Sequence, residues 1–437
     1  MSAYADATTW SRGVACVTGA AAFLVVLAGP SSTEAAPTTP TPSARAAGPA
    51  TSTWHASWAT AQHVAGPTLS DQTVRTVVHL TQGGPRLRIS LAQQATSAPI
   101  RIDQIAVGRR SGTSDMAPGS VRDVTFGGHR AVTIKPGQRV TSDPVRLRVG
   151  PETDIMVDTY VRDAAVPSAH QLAFDTSYLT PAGGGNHTGE TSGADFTQTT
   201  DSYLLVSSVD VAAKDIAGTV VVVGGSVVDG LGSRSTGTLG TGPEAPPNSR
   251  WSDVLARRLR ESQPAHRQIS VANVGISANT ASPKCAIVDG RAGNVTQRYG
   301  RDVLSRAGLT HVFVYAGTND LAAGCSAGQI ITAFKGLANR AHRRGVDIIF
   351  ATITPRASYT AEQNERRSVV NRWLLRGGHC AGHCEGVANF DDAIADPTDP
   401  DRIDPTLESG DGIHPNAEGY ARMAQIVPLR FFRHPNL

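Results

Sequence analysis

The chain has 437 residues, a length that suggests roughly two or three domains, and its 40% hydrophobic and 18% charged residues are an ordinary globular balance that excludes global disorder. Forty Lys and Arg against 37 Asp and Glu leave a net charge of +3, too small to argue for nucleic acid or an anionic membrane surface. The arginines are scattered, with no basic run interleaved with aromatics.

Residues 1–36 read as a secretory signal peptide rather than as fold. Arg12 precedes an apolar run over 13–29 that exits into Pro30 and small or polar residues. The run is at most 17 residues and rich in Gly and Ala, marginal for crossing a membrane. Ala35, Ala36, Ala44 and Ala46 each offer a small residue for cleavage. Residues 37–53 begin PTTPTPSARAAGP, an extended linker with nothing to bury.

Export to an oxidising compartment sets the cysteine chemistry. Cys16 would leave with the signal, and Cys285, Cys325, Cys380 and Cys384 then permit three pairings. Disulfides Cys285–Cys325 and Cys380–Cys384 are the expected ones. The competing reading of HCAGHC (379–384) is a metal site with Cys and His ligands, which no second ligand pair supports. No metal is expected.

Over residues 54–205 the pattern has period two. In PRLRISLAQ, Leu87, Ile89 and Leu91 alternate with Arg86, Arg88 and Ser90, and Val145, Leu147 and Val149 do the same in PVRLRV. Short alternating runs between Gly, Pro and Asp clusters predict an antiparallel β-sandwich. After about Asp215 the pattern changes. TVVVV (219–223), ISVANV (269–274), HVFVYA (311–316) and VDIIFAT (346–352) are apolar throughout, with helical stretches between them. In the stretch 326–344, Ile330, Phe334, Leu337 and Ala341 share one helical face. Residues 215–437 are therefore expected to form an α/β domain, a doubly wound parallel sheet whose chemistry lies at the carboxyl ends of its strands.

Four segments stand at such ends. The first strand runs into GGSVVDG, which places Ser226 just past its end, where small residues let the chain turn sharply and expose the hydroxyl. Neither GxxxxGK[ST] nor GxGxxG occurs there, which weakens a phosphate-cradling reading. The second strand ends at Gly275 in NVGISANT and the third at Asn319 in AGTND. Near the C-terminus, SGDGIHPNAEGYARMAQ puts Asp411 three residues before His414 and just before a helix. A carboxylate at that spacing can take the imidazole Nδ1–H and leave Nε2 facing a serine hydroxyl.

Taken together, the order Ser, Gly, Asn, Asp-xx-His at successive strand ends resembles the SGNH (GDSL-like) hydrolase family. The resemblance runs from residue 220 to the C-terminus and is strengthened by WSDVLARRL and HPNAEGYARMA. A β-rich domain entered through WHASWATAQ and followed by such a hydrolase is similar to secreted bacterial esterases of the xylan-cluster type. The resemblance implies a flavodoxin-like doubly wound domain and an extracellular esterase with Ser226 as nucleophile, His414 as base and Asp411 holding the imidazole. It implies an oxyanion hole of the Ser226 and Gly275 amides with the Asn319 side chain, and Asn279 lining the pocket. It implies no cofactor, an ester partner that is a small molecule or a polysaccharide, no nucleic acid, and no stable membrane insertion once the signal is gone. One position departs from the family pattern: Gly225 stands where an Asp usually precedes the serine and helps to fix its loop. That departure gives a first rival, an impaired hydrolase fold serving as a carbohydrate-binding protein. A lipase is the second.

Overall fold

The computed structural model describes residues 53–285 and 293–433. The signal peptide and all but the last residue of the linker lie outside them.

The first part of the described chain, residues 54–212, is built from antiparallel strands. Gln72–Leu80 and Thr153–Val161 pair over their full length, with Leu80 opposite Thr153 and Gln72 opposite Val161, inside a six-stranded sheet. A four-stranded sheet carries Trp54–Ala59, Val206–Ala212, Arg86–Gln93 and Gln138–Thr141 in that order. Side chains alternate across a strand, so one face of each sheet can be apolar. Leu87, Ile89 and Leu91 of one sheet and Val74, Val78, Ile155 and Val157 of the other share one buried cluster, the core of a β-sandwich.

The second part is a parallel sheet of five strands: β1 (Ile216–Gly224), β2 (Gln268–Asn273), β3 (Leu309–Tyr315), β4 (Asp347–Ala351) and β5 (Gly386–Ala388). Their order in the sheet is β2-β1-β3-β4-β5, every neighbouring pair parallel. The run of valines in β1 is divided by the pleat. Val221 and Val223 enter one core cluster and Val220 and Val222 the other, so both faces of the sheet are covered. The first face carries α3 (Val295–Asp302), α5 (Ala327–His342) and α6 (Ala361–Leu375). The opposite face carries α2 (Trp251–Ser262), α7 (Phe390–Ile394) and α8 (Ala417–Gln425). Two one-turn helices, α1 (Ser226–Asp229) and α4 (Thr318–Ala322), follow β1 and β3 directly. The expected face of α5 is buried at Ile330, Phe334, Leu337 and Ala341, and Ser326 with Gln329 closes a capping box at its start.

The two parts share a core. Trp54–Ala59 pairs with the antiparallel sheet, yet Ala56, Ala59 and Ala61 pack in the same cluster as Val221 and Val223. Small side chains let this strand lie close against β2, where Ser270 Oγ donates to the Ala56 carbonyl (2.6 Å) and Thr81 Oγ1 donates to the Val271 carbonyl (3.0 Å). The chain leaves β1 for β2 on one side and reaches β3 on the other. The crevice at the carboxyl ends of β1 and β3 is therefore the topological switch point, where such sheets bind ligands.

Candidate active site

β1 ends at Gly224, and the chain turns at once into α1. The Gly225 carbonyl accepts the N–H groups of Val228 and Asp229, both at 3.0 Å, which pins this single turn with Ser226 at its head. Gly230 closes it at φ 112°, a left-handed conformation that favours glycine, and a Cβ there would stand 2.7 Å from Arg250.

Ser226 Oγ lies 2.7 Å from His414 Nε2, and His414 Nδ1 lies 2.6 Å from Asp411 Oδ2. The other carboxylate oxygen of Asp411 accepts the N–H groups of Ile413 and His414, both at 2.9 Å. One side chain thus closes the turn and orients the ring. Burial pushes the Asp411 carboxyl up, but the hydrogen bonds from the His414 ring and backbone outweigh it and hold it well below the usual carboxylate range. Just beyond, Asn416 caps α8 through the Gly419 N–H, and its Nδ2 donates to the Gly237 and Thr406 carbonyls. The histidine is therefore anchored to the loop that follows the nucleophile. Glu408, buried, accepts the N–H groups of Gly410 and Gly412 and shapes the other side of the turn.

Asn319 opens α4 and donates from Nδ2 to the Asn279 carbonyl (3.1 Å). The same nitrogen is 2.9 Å from where a Cβ on residue 225 would be. The amide thus fills the space in which a side chain at 225 would begin, and Gly225 leaves room for it. Gly275 sits differently from its expected role. Its N–H donates to Asn273 Oδ1 (2.8 Å), at the end of its own strand. A Cβ on Gly275 would be 2.4 Å from the Asp229 N, so the glycine lets the turn that carries Ser226 pack against the end of β2. Asn279, expected to line the pocket, has its side chain committed on both sides, Oδ1 accepting from Arg298 and Nδ2 donating to the Gly293 carbonyl. It holds the scaffold and positions Asn319 through its carbonyl.

The cysteines pair as Cys285–Cys325 and Cys380–Cys384, with Cα atoms 5.6 and 5.5 Å apart. The first joins the loop after β2 to the end of α4, beside Asp320, whose carboxylate accepts the N–H groups of Ala281 and Ser282. Among the described residues, His187, Glu190 and Asp195 bring metal-type donor atoms within 4.8 Å of one another, half-buried to exposed in the antiparallel part.

Two contributors escaped the sequence reading. Arg298 on α3 is buried, donating from Nε to Asn279 Oδ1 (2.9 Å), from Nη1 to the Val274 carbonyl (2.7 Å) and from Nη2 to the Gly224 carbonyl (3.2 Å). One guanidinium thereby ties the ends of β1 and β2. Its spacing from Asp302 reads as an i,i+4 pair on a solvated helix, so nothing local marks it. The other is His170, from the antiparallel part, which meets Asp229. Asp229 stands three residues after Ser226, and its partner lies 59 residues upstream.

Residues 222–422 match the model of the GDSL-like lipase/acylhydrolase family. No curated protein matches the chain. Among solved structures, a carbohydrate acetylesterase from Sinorhizobium meliloti is 18% identical, with 47% of this chain and 94% of that one covered and a TM-score of 0.35. An acetyl xylan esterase from Geobacillus stearothermophilus is 17% identical, covering 50% of this chain and 96% of that one, TM-score 0.35. A family two carbohydrate esterase from Clostridium thermocellum is 14% identical, covering 83% of this chain and 91% of that one, TM-score 0.35.

Proposed function

We propose, from a chain whose residues 222–422 form a GDSL-like lipase/acylhydrolase domain, that this carboxylic ester hydrolase works by a serine acyl-enzyme mechanism. The observation that carries the reading is the continuous hydrogen-bonded line from Ser226 Oγ to His414 to Asp411, at 2.7 and 2.6 Å. In the first half-reaction His414 Nε2 takes the hydroxyl proton as Ser226 Oγ attacks the ester carbonyl carbon. The tetrahedral intermediate places its oxyanion toward the Ser226 amide and the Asn319 side chain. Collapse expels the alcohol, which receives the proton from His414. Water then attacks the acyl-serine, again giving a proton to His414, and collapse of this second intermediate breaks the carbonyl bond to Ser226 Oγ, which takes that proton back as the acid leaves. Asp411 holds Nδ1–H throughout, so the ring presents Nε2 to the serine and its charge is stabilised when it is protonated. Gly275 serves the oxyanion site by letting the nucleophile turn approach.

The substrates proposed are acyl or acetyl esters, small or carried on a polysaccharide, met outside the cell after removal of the N-terminal leader. Hydrolysis of p-nitrophenyl acetate by the wild type, with Ser226→Ala as control, tests the mechanism. Loss of about 10³-fold or more in kcat is expected, together with labelling of Ser226 by a serine-directed phosphonate. Turnover unchanged in Ser226→Ala overturns the reading. Acetylated xylan, short aryl esters and long-chain lipids, run as a panel, sort the acyl and alcohol preference.

A further inference from the structure

Asp229 stands three residues after the nucleophile, outside the proton path of the triad, and is buried with every oxygen partnered. Oδ1 meets His170 Nε2 at 2.8 Å, and Oδ2 accepts the N–H and the hydroxyl of Ser277 at 2.8 and 2.7 Å. Burial pushes this carboxyl up, but His170 and then Ser277 pull it below the usual carboxylate range, so it is ionised. His170 Nδ1 stands 3.1 Å from the Ala61 carbonyl. Both ring nitrogens therefore face groups that only accept, the Ala61 carbonyl and the Asp229 carboxylate. The pair is closed to water, each side chain being 3% exposed. His63 stands edge-on at 4.9 Å and adds no charge, since burial and then the His170 charge push it down to about 4.

A second strut runs parallel to the first. Arg250 Nε donates to the Asp229 carbonyl (2.7 Å), and Nη2 donates to the Ala173 carbonyl (2.5 Å). His170, Ala61 and Ala173 all belong to the antiparallel part. What they hold is the one turn that carries Ser226 and, through Ser277, the loop after β2. That turn has no side chain at Gly225 to brace it.

We propose that the antiparallel part is a built-in positioning element of the esterase site, with His170 acting through Asp229 to set the place of Ser226 against the end of β2. His170 touches no reacting atom and is a positioning residue. The inference rests on the esterase reading above. A buried carboxylate whose oxygens are all partnered is costly to strip from one side, and the strain falls on the element it holds. A shift of the serine by about 1 Å is enough to lose about 100-fold in rate, because attack requires near-contact alignment.

The test compares the full-length wild type, His170→Ala, His170→Gln, Asp229→Asn and the double variant His170→Ala/Asp229→Asn on p-nitrophenyl acetate. His187→Ala, on an exposed loop of the same part, is the control. His170→Ala is expected to lose about 10- to 100-fold in kcat with KM within about twofold, and phosphonate labelling of Ser226 slows in parallel. His170→Gln keeps one N–H toward Asp229 and falls between His170→Ala and the wild type, about three- to tenfold down. The double variant is no slower than the worse single, as expected of groups that act as a unit. His187→Ala matches the wild type. Folded His170→Ala with kcat within twofold of the wild type overturns the proposal. If His170→Ala does not fold, His170→Gln decides alone: a kcat equal to the wild type overturns it, and a kcat loss at constant KM upholds it. A wild type without Ser226-dependent turnover defeats the esterase reading instead, so the two failures are told apart.

Discussion

At Gly225 and Asn319 two side chains compete for one volume. With Asn319 Nδ2 2.9 Å from the Cβ that an Asp would bring, Gly225→Asp has to displace the amide proposed above as an oxyanion donor. We expect kcat for p-nitrophenyl acetate to fall about tenfold in this variant, and to rise only if Asn319 moves aside freely. Asn319→Ala removes the donor itself and is expected to lose about 10²- to 10³-fold in kcat with little change in KM. Asp411 yields a pH prediction. Its folded carboxyl lies below the unfolded value near 3.9, so its stabilising pairing is fully present above that pH and is lost as pH falls through the folded value. The stability difference between wild type and Asp411→Asn, measured by urea unfolding, should therefore be constant from neutral pH to about 5 and shrink below about 4. The sequence announced Ser226, Asp411 and His414 because their spacing and strand-end context are local. It could not show that Gly275 N–H and the Asn279 side chain are already committed, since Asn273 Oδ1 and Arg298 reach them only in the fold.

Among the elements, the loops at the carboxyl ends of β1, β2 and β3 are braced from several sides. Cys285–Cys325 closes a loop of 40 residues, for which chain entropy gives about 4 kcal/mol before strain is counted. Replacing both cysteines with alanine is expected to lower the urea midpoint accordingly and to slow p-nitrophenyl acetate turnover. Turnover equal to the wild type at full folding would show that the bridge stabilises the chain without steadying the site. Arg298 braces the same region from α3. Its replacement by Met removes the side-chain donor from the Val274 carbonyl and leaves Gly224 with only the Ile276 N–H, and a loss of roughly 3 kcal/mol in unfolding free energy is expected. The identity of each element was legible from its period. The contrast between alternating runs before residue 205 and continuous apolar runs after 215 follows from burial on one face against burial on both. The pairing order β2-β1-β3-β4-β5 is the flavodoxin-like one that the resemblance implied; no local signal carries it, because strand neighbours depend on side-chain packing across the sheet.

Over the whole molecule, charge ties the antiparallel part to the parallel-sheet part at a second place besides His170. His79 holds Asp154 at 2.6 Å and lies 3.4 Å from Glu152, which in turn approaches Arg257 of α2 at 3.8 Å. Burial pulls the His79 imidazole down, but the hydrogen bonds to Asp154 and Glu152 win and raise it to about 10. A raised folded value means stability that is fully present below the unfolded value near 6.5 and is lost as pH rises through about 10. His79→Gln should therefore be less stable than the wild type by a constant margin below pH 6.5, and the margin should close between pH 6.5 and 10 in thermal unfolding. A margin that widens over that interval would show that the imidazole is not charged in the fold. By itself the sequence determined the class of each part and the strand ends at which Ser226 and Asn319 stand, because periodicity and short spacings are properties of contiguous chain. Only the tertiary structure decided which ionised groups are buried and by whom they are held. Asp229 with His170, and Arg298 with three carbonyl and amide oxygens, become partners across 59 and up to 74 residues of chain. Burying a charge is tolerable only where such distant partners converge.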